Sequence, residues 1–246
     1  MVWVALGESV TGTAHRARNL PCQDAFRYRT IGTTGEWLAI ATADGAGSAS
    51  RSDIGSALVC DEFVQRVEKL DPDSLFTREG MTRLFADVRI ALHEKAEHLS
   101  IPPRELACTG LFAFLGPTAA TFGQIGDGAI VIGHGEMLRT IFWPEPSEYA
   151  NATDFLSDEH FAEAMQFHTL SEPIHEVAVL TDGLQRLALD FAARSVHLPF
   201  FRPLFHHLRT TADPESLVAP FRNFLDSPRI NERTDDDKTL VFAVRP

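Results

Sequence analysis

The segment Ala39-Ile40-Ala41-Thr42-Ala43-Asp44-Gly45-Ala46-Gly47-Ser48 passes from an apolar run to an acid and then to glycine-rich backbone. A helix-like stretch follows. The pattern predicts a buried strand that delivers Asp44 to a sheet edge, where glycines let a ligand approach the main chain closely. Asp-Gly is also a common turn signal, so the segment gains meaning only beside other acids on strand ends.

The 246 residues include 22 Lys plus Arg and 34 Asp plus Glu, a formal net charge of −12. So acidic a chain argues against general nucleic-acid or anionic-membrane binding. Hydrophobic residues make up 44% of the chain, enough for a sizeable core. The three cysteines, Cys22, Cys60 and Cys108, lie far apart with no zinc or redox spacing, and read as free thiols in a reducing compartment. The N-terminal stretch lacks a basic flank, and no apolar run reaches membrane-spanning length, so the expectation is a cytoplasmic protein.

Along the chain, strands are expected at 2–6, 24–31, 36–43, 107–115, 119–126, 128–133, 136–142, 176–181 and 239–244. Residues 7–23 are polar and turn-rich and read as a loop. Ser50 or Ser52 is placed as the cap of a helix ending near Leu70, with Val59, Phe63 and Val67 on its apolar face. A second helix is expected over 78–99. Residues 143–173 read as a long surface excursion with little regular structure, and 184–226 as helical pieces broken at Pro199, Pro203 and Pro214. No linker or repeat interrupts the chain, so residues 1–246 are expected to form a single domain. Blocks of strands followed by pairs of helices predict an α+β layered domain, with helices covering stacked antiparallel sheets.

Five acidic motifs lie beside predicted strands: Gln23-Asp24, Asp44-Gly45, Gly126-Asp127-Gly128, Thr181-Asp182-Gly183 and Asp235-Asp236-Asp237. If their strands are central neighbours, the carboxylates converge at one sheet end and repel one another unless protonated or neutralised. Four aspartates carry about −4, which two divalent ions would balance. Oxygen ligands without His or Cys select Mg²⁺ or Mn²⁺ over zinc.

The order of these motifs resembles the metal-dependent serine/threonine protein phosphatases of the type 2C class, above all their compact bacterial members. The opening Gly7-Glu-Ser9-Val-Thr-Gly12-Thr-Ala-His15 and the closing Asp236-Asp237-Lys-Thr239 belong to the same resemblance, which spans nearly the whole chain. It implies a four-layer α-β-β-α sandwich of two antiparallel sheets flanked by helix pairs. It further implies that Asp44 bridges two metal ions, that the Gly45 carbonyl binds one, and that Asp182 and Asp236 complete the other's shell. Asp24 holds metal-bound water, and Asp127 falls where members support the site or bind a third, looser ion. The implied reaction is hydrolysis of phosphoserine or phosphothreonine in proteins by a metal-bridged hydroxide. A phosphorylated protein is the implied substrate and a cognate serine/threonine kinase the implied partner.

The chain departs from the family pattern at three places. Ala46 stands where many members carry a proton-donating His, and His15 is the alternative acid. Asn19 stands where members grip phosphate with Arg, and Arg16 and Arg18 are the substitutes. Gly128 replaces the more usual Ser. The first two departures favour a second reading, a non-catalytic regulator of the same fold that binds a phosphorylated partner or kinase.

Overall fold

The computed structural model describes residues 2–135, 137–144 and 153–245. Its first half comprises β1 (Val4–Val10), α1 (Thr13–Ala17), β2 (Ala25–Ile31), β3 (Trp37–Ala43), α2 (Ser52–Val67), α3 (Arg78–Leu99), β4 (Gly110–Leu115), β5 (Ala120–Ile125), β6 (Ala129–His134) and β7 (Met137–Thr140). The second half comprises α4 (Phe161–Ala164), β8 (Gln166–Leu170), β9 (Glu176–Leu180), α5 (Gln185–Ala188), β10 (Leu189–Asp190), β11 (Ser195–Val196), α6 (Leu198–Thr210), α7 (Val218–Leu225), α8 (Pro228–Asn231) and β12 (Lys238–Val244).

Two five-stranded sheets, ordered β1-β12-β9-β6-β7 and β2-β3-β4-β5-β8, are antiparallel throughout. The alternation of side chains along each strand assigns its two faces. From β3, Leu38 and Ile40 enter a core between the sheets together with Leu111, Phe122, Val177, Val179 and Val241. The intervening Ala39, Ala41 and Ala43 face α2 and α3, where their small side chains leave room for Phe63, Phe85 and Phe112. On the far side, Ala178, Leu180, Leu240 and Phe242 pack against Phe201 and Phe205 of α6 and Phe221 of α7. Central strands covered on both faces read as continuous apolar runs, which is why β3, β4, β9 and β12 stand out in the sequence. The result is an α-β-β-α arrangement of layers.

Phe63 is fully buried, stacked on Phe112 at 5.1 Å and edge-on to Phe85 at 4.8 Å. Phe63→Ala is expected to destabilise by about 3–5 kcal/mol through lost transfer energy and the cavity left behind. Thermal unfolding should show a fall in Tm on the order of 10 °C.

Several local expectations are corrected. Residues 7–23 are not all loop: β1 continues through Gly7 and Ser9 to Val10 against β12, and α1 follows. Neither Ser50 nor Ser52 caps α2. Its N-cap is Arg51 with no side-chain bond, and the N–H groups of Ser50 and Arg51 donate to Glu105 instead. Within 143–173, β8 pairs with β5 along the sheet edge and α4 precedes it; residues 145–152 lie outside the described residues. Pro199 and Pro203 do not break the third helical stretch, since Pro199 opens α6 and Pro203 lies inside it. The strand expected at 136–142 is shorter, Met137–Thr140.

Candidate metal centre

The strand register sets the place of every acid. Ala43 at the end of β3 pairs with Ala25 at the start of β2, so Asp44 and Asp24 leave the same edge of one sheet. In the other sheet Leu180 pairs with both Leu240 and Ala129, so Asp182, Asp236 and Asp127 emerge together. The link from β5 to β6 carries Asp127 across from one sheet to the other. The acids therefore meet between the ends of two stacked sheets, rather than at the end of one sheet as expected from sequence.

Carboxylate oxygens of Asp44, Asp127 and Asp182 all lie within 4.8 Å of one another. Burial, then the charges of Asp24, Asp182 and Asp236, hold the Asp44 carboxyl well above its ordinary range. Burial raises Asp182 to about 6, with the charges of Asp127 and Asp236 adding to it. Burial is also the main reason Asp127 is raised. Asp24 is more deeply buried, and its carboxyl is raised to about 7 by desolvation, against the opposing hydrogen bond from Thr181. Carboxyls pushed upwards by burial and by each other form a site that lacks positive charge.

The chain around the acids is held by hydrogen bonds. The Asp44 N–H donates to Thr109 Oγ1 at 2.9 Å, and the Thr109 N–H returns to the Asp44 carbonyl at 2.8 Å. Thr181 Oγ1 donates to Asp24 Oδ2 at 2.7 Å and accepts from the Thr239 N–H at 3.1 Å. Gln185 Nε2 donates to the Asp127 carbonyl. A Cβ on Gly45 would stand 2.6 Å from the Gln23 carbonyl oxygen, so only glycine fits there. A Cβ on Gly128 would stand 2.6 Å from the Leu180 carbonyl oxygen, which accounts for glycine where Ser is usual.

Asp236 is exposed, and its charge acts on Asp44, Asp127 and Asp182. Its neighbour Asp237, to which the family resemblance assigns no role, is buried and organises the Gly12–Gln23 segment. Asp237 accepts from the Gly12 and Gln23 N–H groups, each at 2.6 Å, and lies 2.8 Å from His15 Nδ1. The signal was present as a double acid before a strand, but a run of three aspartates reads first as a solvated loop. His15 is only 6% exposed, so the residue named as an acid is enclosed against Asp237.

Arg16 and Arg18 hold partners outside the acidic cluster, Arg18 through Nε alone. Arg16 Nη2 donates to Asp226 Oδ1 at 2.5 Å and to the Thr11 carbonyl at 2.7 Å. Arg18 Nε donates to the Ala14 carbonyl at 3.2 Å. Ala46 is buried against Ala49, Ala107 and Phe155 and offers no proton. Asn19 adopts φ 55°, a left-handed conformation that asparagine tolerates. Cys60 and Cys108 are buried free thiols, and burial holds Cys22 and both of them well above the ordinary thiol range.

Oxygen donors alone, gathered at this spacing and starved of positive charge, fit a hard divalent cation. The profile of the protein phosphatase 2C family matches residues 11–222. The chain is 36% identical to Serine/threonine-protein phosphatase 3 of Escherichia coli (strain K12) over 250 residues, covering 99% of both chains. Its fold is similar to that of the serine/threonine phosphatase Stp1 from Staphylococcus aureus, with TM-score 0.67, 13% identity and coverage of 100% of this chain and 96% of that one. It is likewise similar to PppA from Pseudomonas aeruginosa, with TM-score 0.61, 16% identity and coverage of 100% and 98%. These matches, with the acids assembled between the sheet ends, show that the chain belongs to the protein phosphatase 2C family, whose members are metal-dependent serine/threonine phosphatases.

Proposed function

We propose that this chain hydrolyses phosphoserine and phosphothreonine in proteins with two Mg²⁺ or Mn²⁺ ions held by the acidic cluster. The observation that carries the reading is the mutual approach of Asp44, Asp127 and Asp182 within 4.8 Å, from segments far apart in the chain. Asp44, Asp182 and Asp236 are the proposed ligands of the pair, with the Gly45 carbonyl as a further one. Asp127 is the proposed ligand of a third ion or the support of the first two. Bound ions would lower the pKa of a water molecule and offset charge on the phosphoryl oxygens.

The chain's own groups then have definite tasks. Asp24, fixed by the Thr181 hydroxyl, orients the attacking water and accepts its proton. The phosphorus–oxygen ester bond breaks, and the seryl or threonyl oxygen takes a proton from solvent, because Ala46 supplies none. His15 is assigned a positioning role, bracing the Gly12–Gln23 loop through Asp237. Arg18, whose terminal nitrogens have no partner among the described residues, is better placed to grip phosphate than Arg16, which would first have to leave Asp226. The partner class is a phosphorylated protein, with a cognate serine/threonine kinase working in opposition.

The expected result is release of phosphate from a phosphothreonine peptide in millimolar Mn²⁺, lost on addition of EDTA and restored by excess metal. Turnover undiminished by EDTA, or metal binding without turnover of any phosphopeptide in a panel, would overturn it.

A further inference from the structure

A cavity of about 750 Å³ lies apart from the acidic centre. It lies on the outer face of the β1-β12-β9-β6-β7 sheet, between α6 and α7, and is walled by buried Phe200, Phe221 and Phe242. Phe191 and Phe224 complete the wall, and they are the only two exposed phenylalanines among the described residues. Exposed aromatic surface gathered at one mouth marks an interaction site more often than chance scatter does. Aromatic and arginine residues are also the commonest anchors of protein interfaces.

The charge at this mouth runs against that of the whole chain. Arg186, Arg229 and Arg233 line the cavity and are exposed, and their side chains make no ion pair or hydrogen bond among the described residues. His197 and His207 stand beside them, and Asp190, whose carboxylate accepts from the Ala193 N–H, is the one acid. In a chain of net charge −12, three arginines without partners around an apolar slot make a local positive field. Arg186 follows Asp182 by one helical turn, and Arg233 precedes Asp236 by three residues. Whatever docks there is thereby held beside the two loops that carry those acids.

We propose that this cavity is a docking site for a protein partner through an acidic segment that carries an aromatic or aliphatic anchor. The anchor side chain fills the slot between Phe200 and Phe221. Flanking Asp or Glu residues pair with Arg186, Arg229 and Arg233. Such docking needs neither metal nor phosphate, so it stands or falls apart from the hydrolytic reading.

The test pans a displayed library of random dodecapeptides on the full chain in EDTA. Enriched peptides should place Asp or Glu around Trp, Phe or Leu, and their binding should weaken with salt. A synthetic enriched peptide should lose at least tenfold in affinity against the Arg229→Glu/Arg233→Glu double variant, in which both changes are on the surface. Filling the slot by Leu204→Trp should have a similar effect, and the charge variant carries the test alone if that protein misfolds. Enrichment without an acidic-apolar signature, or affinity unmoved by charge reversal, would overturn the proposal. Saturable laurate binding that Leu204→Trp abolishes, with peptide still bound alongside it, would overturn it too, by assigning the slot to a lipid-like anion.

Discussion

Exchanging Asp44 for Asn is expected to abolish metal-dependent phosphopeptide turnover and, at the same time, to raise the melting temperature of the metal-free protein. Both effects follow from one environment. Asp44 sits among Asp24, Asp182 and Asp236, in surroundings that hold its carboxyl well above the ordinary range. Without a cation the native state must either keep a proton there or suffer the repulsion. An amide of the same shape needs neither, so the metal-free variant gains stability. With Mn²⁺ the balance is expected to reverse, because an amide oxygen carries no charge to set against a cation. Loss of electrostatic stabilisation worth several kcal/mol corresponds to a fall in turnover on the order of 10³-fold or more. Calorimetry in EDTA and in millimolar Mn²⁺ separates the two effects. Wild type should gain Tm with Mn²⁺ and Asp44→Asn should not. A variant that keeps the full metal-induced shift would remove Asp44 from the centre.

The parts of the molecule legible in the sequence share a physical reason. Strands β3, β4, β9 and β12 are covered on both faces and so are written as apolar runs. The long stripe of α3, from Met81 through Val88 to Ala96, follows helical spacing, and Thr77 marks its start by accepting from the Gly80 N–H. β8 was hidden because an edge strand is only half buried: Gln166 and His168 face solvent and its one partner is β5. The sequence signal of β1 stops early because Gly7 and Ser9 look like loop residues. Yet Gly7 is required where Phe26 crosses the strand, and Ser9 shares a 2.6 Å hydrogen bond with Thr239. Pro203 reads as a break in the sequence because proline removes a helical bond. Only the bond to the Pro199 carbonyl is at stake, within the first turns of α6. For the centre, sequence supplied which carboxylates stand at strand ends. It could not supply that they come from two sheets, because strand partnership is set by contacts remote in the chain. The resemblance singled out Asp236, but nothing in the sequence assigned its neighbour Asp237 a task, since adjacent acids differ only in which way the folded loop before β12 turns them.

Stability of the metal-free protein is expected to fall as pH rises from about 4 to about 7.5, and millimolar Mn²⁺ is expected to reverse that trend. Asp24 is raised to about 7 and Asp182 to about 6, whereas in the unfolded chain both titrate near 3.8. Between those values the native state holds protons that the unfolded state has released. The unfolding free energy therefore decreases with pH, and the contribution is fully present only below the unfolded value. Asp24, the group raised to about 7 by desolvation, extends the decline to the top of that window. His93, partly buried and lowered from its ordinary value by desolvation, opposes the trend as pH rises towards 6.5, but it is one group against Asp24, Asp182 and Asp44. Asp226 and Glu68, lowered by hydrogen bonds from Arg16 and Arg29, contribute stability that is present above their unfolded values of 3.8 and 4.5 and is lost as pH falls below them. Cations replace the retained protons, so the stabilisation by Mn²⁺ should grow with pH and its binding should release protons. Both are measurable, by calorimetry from pH 5 to 8 and by titration in buffers of different ionisation enthalpy. Thr181→Val sharpens the test. It removes the hydrogen bond that opposes the rise of Asp24, so the decline of the metal-free protein should move to higher pH. A metal-free protein that gains stability across this range would mean that the carboxyls are already ionised, and that the cluster is more open to water than its burial implies.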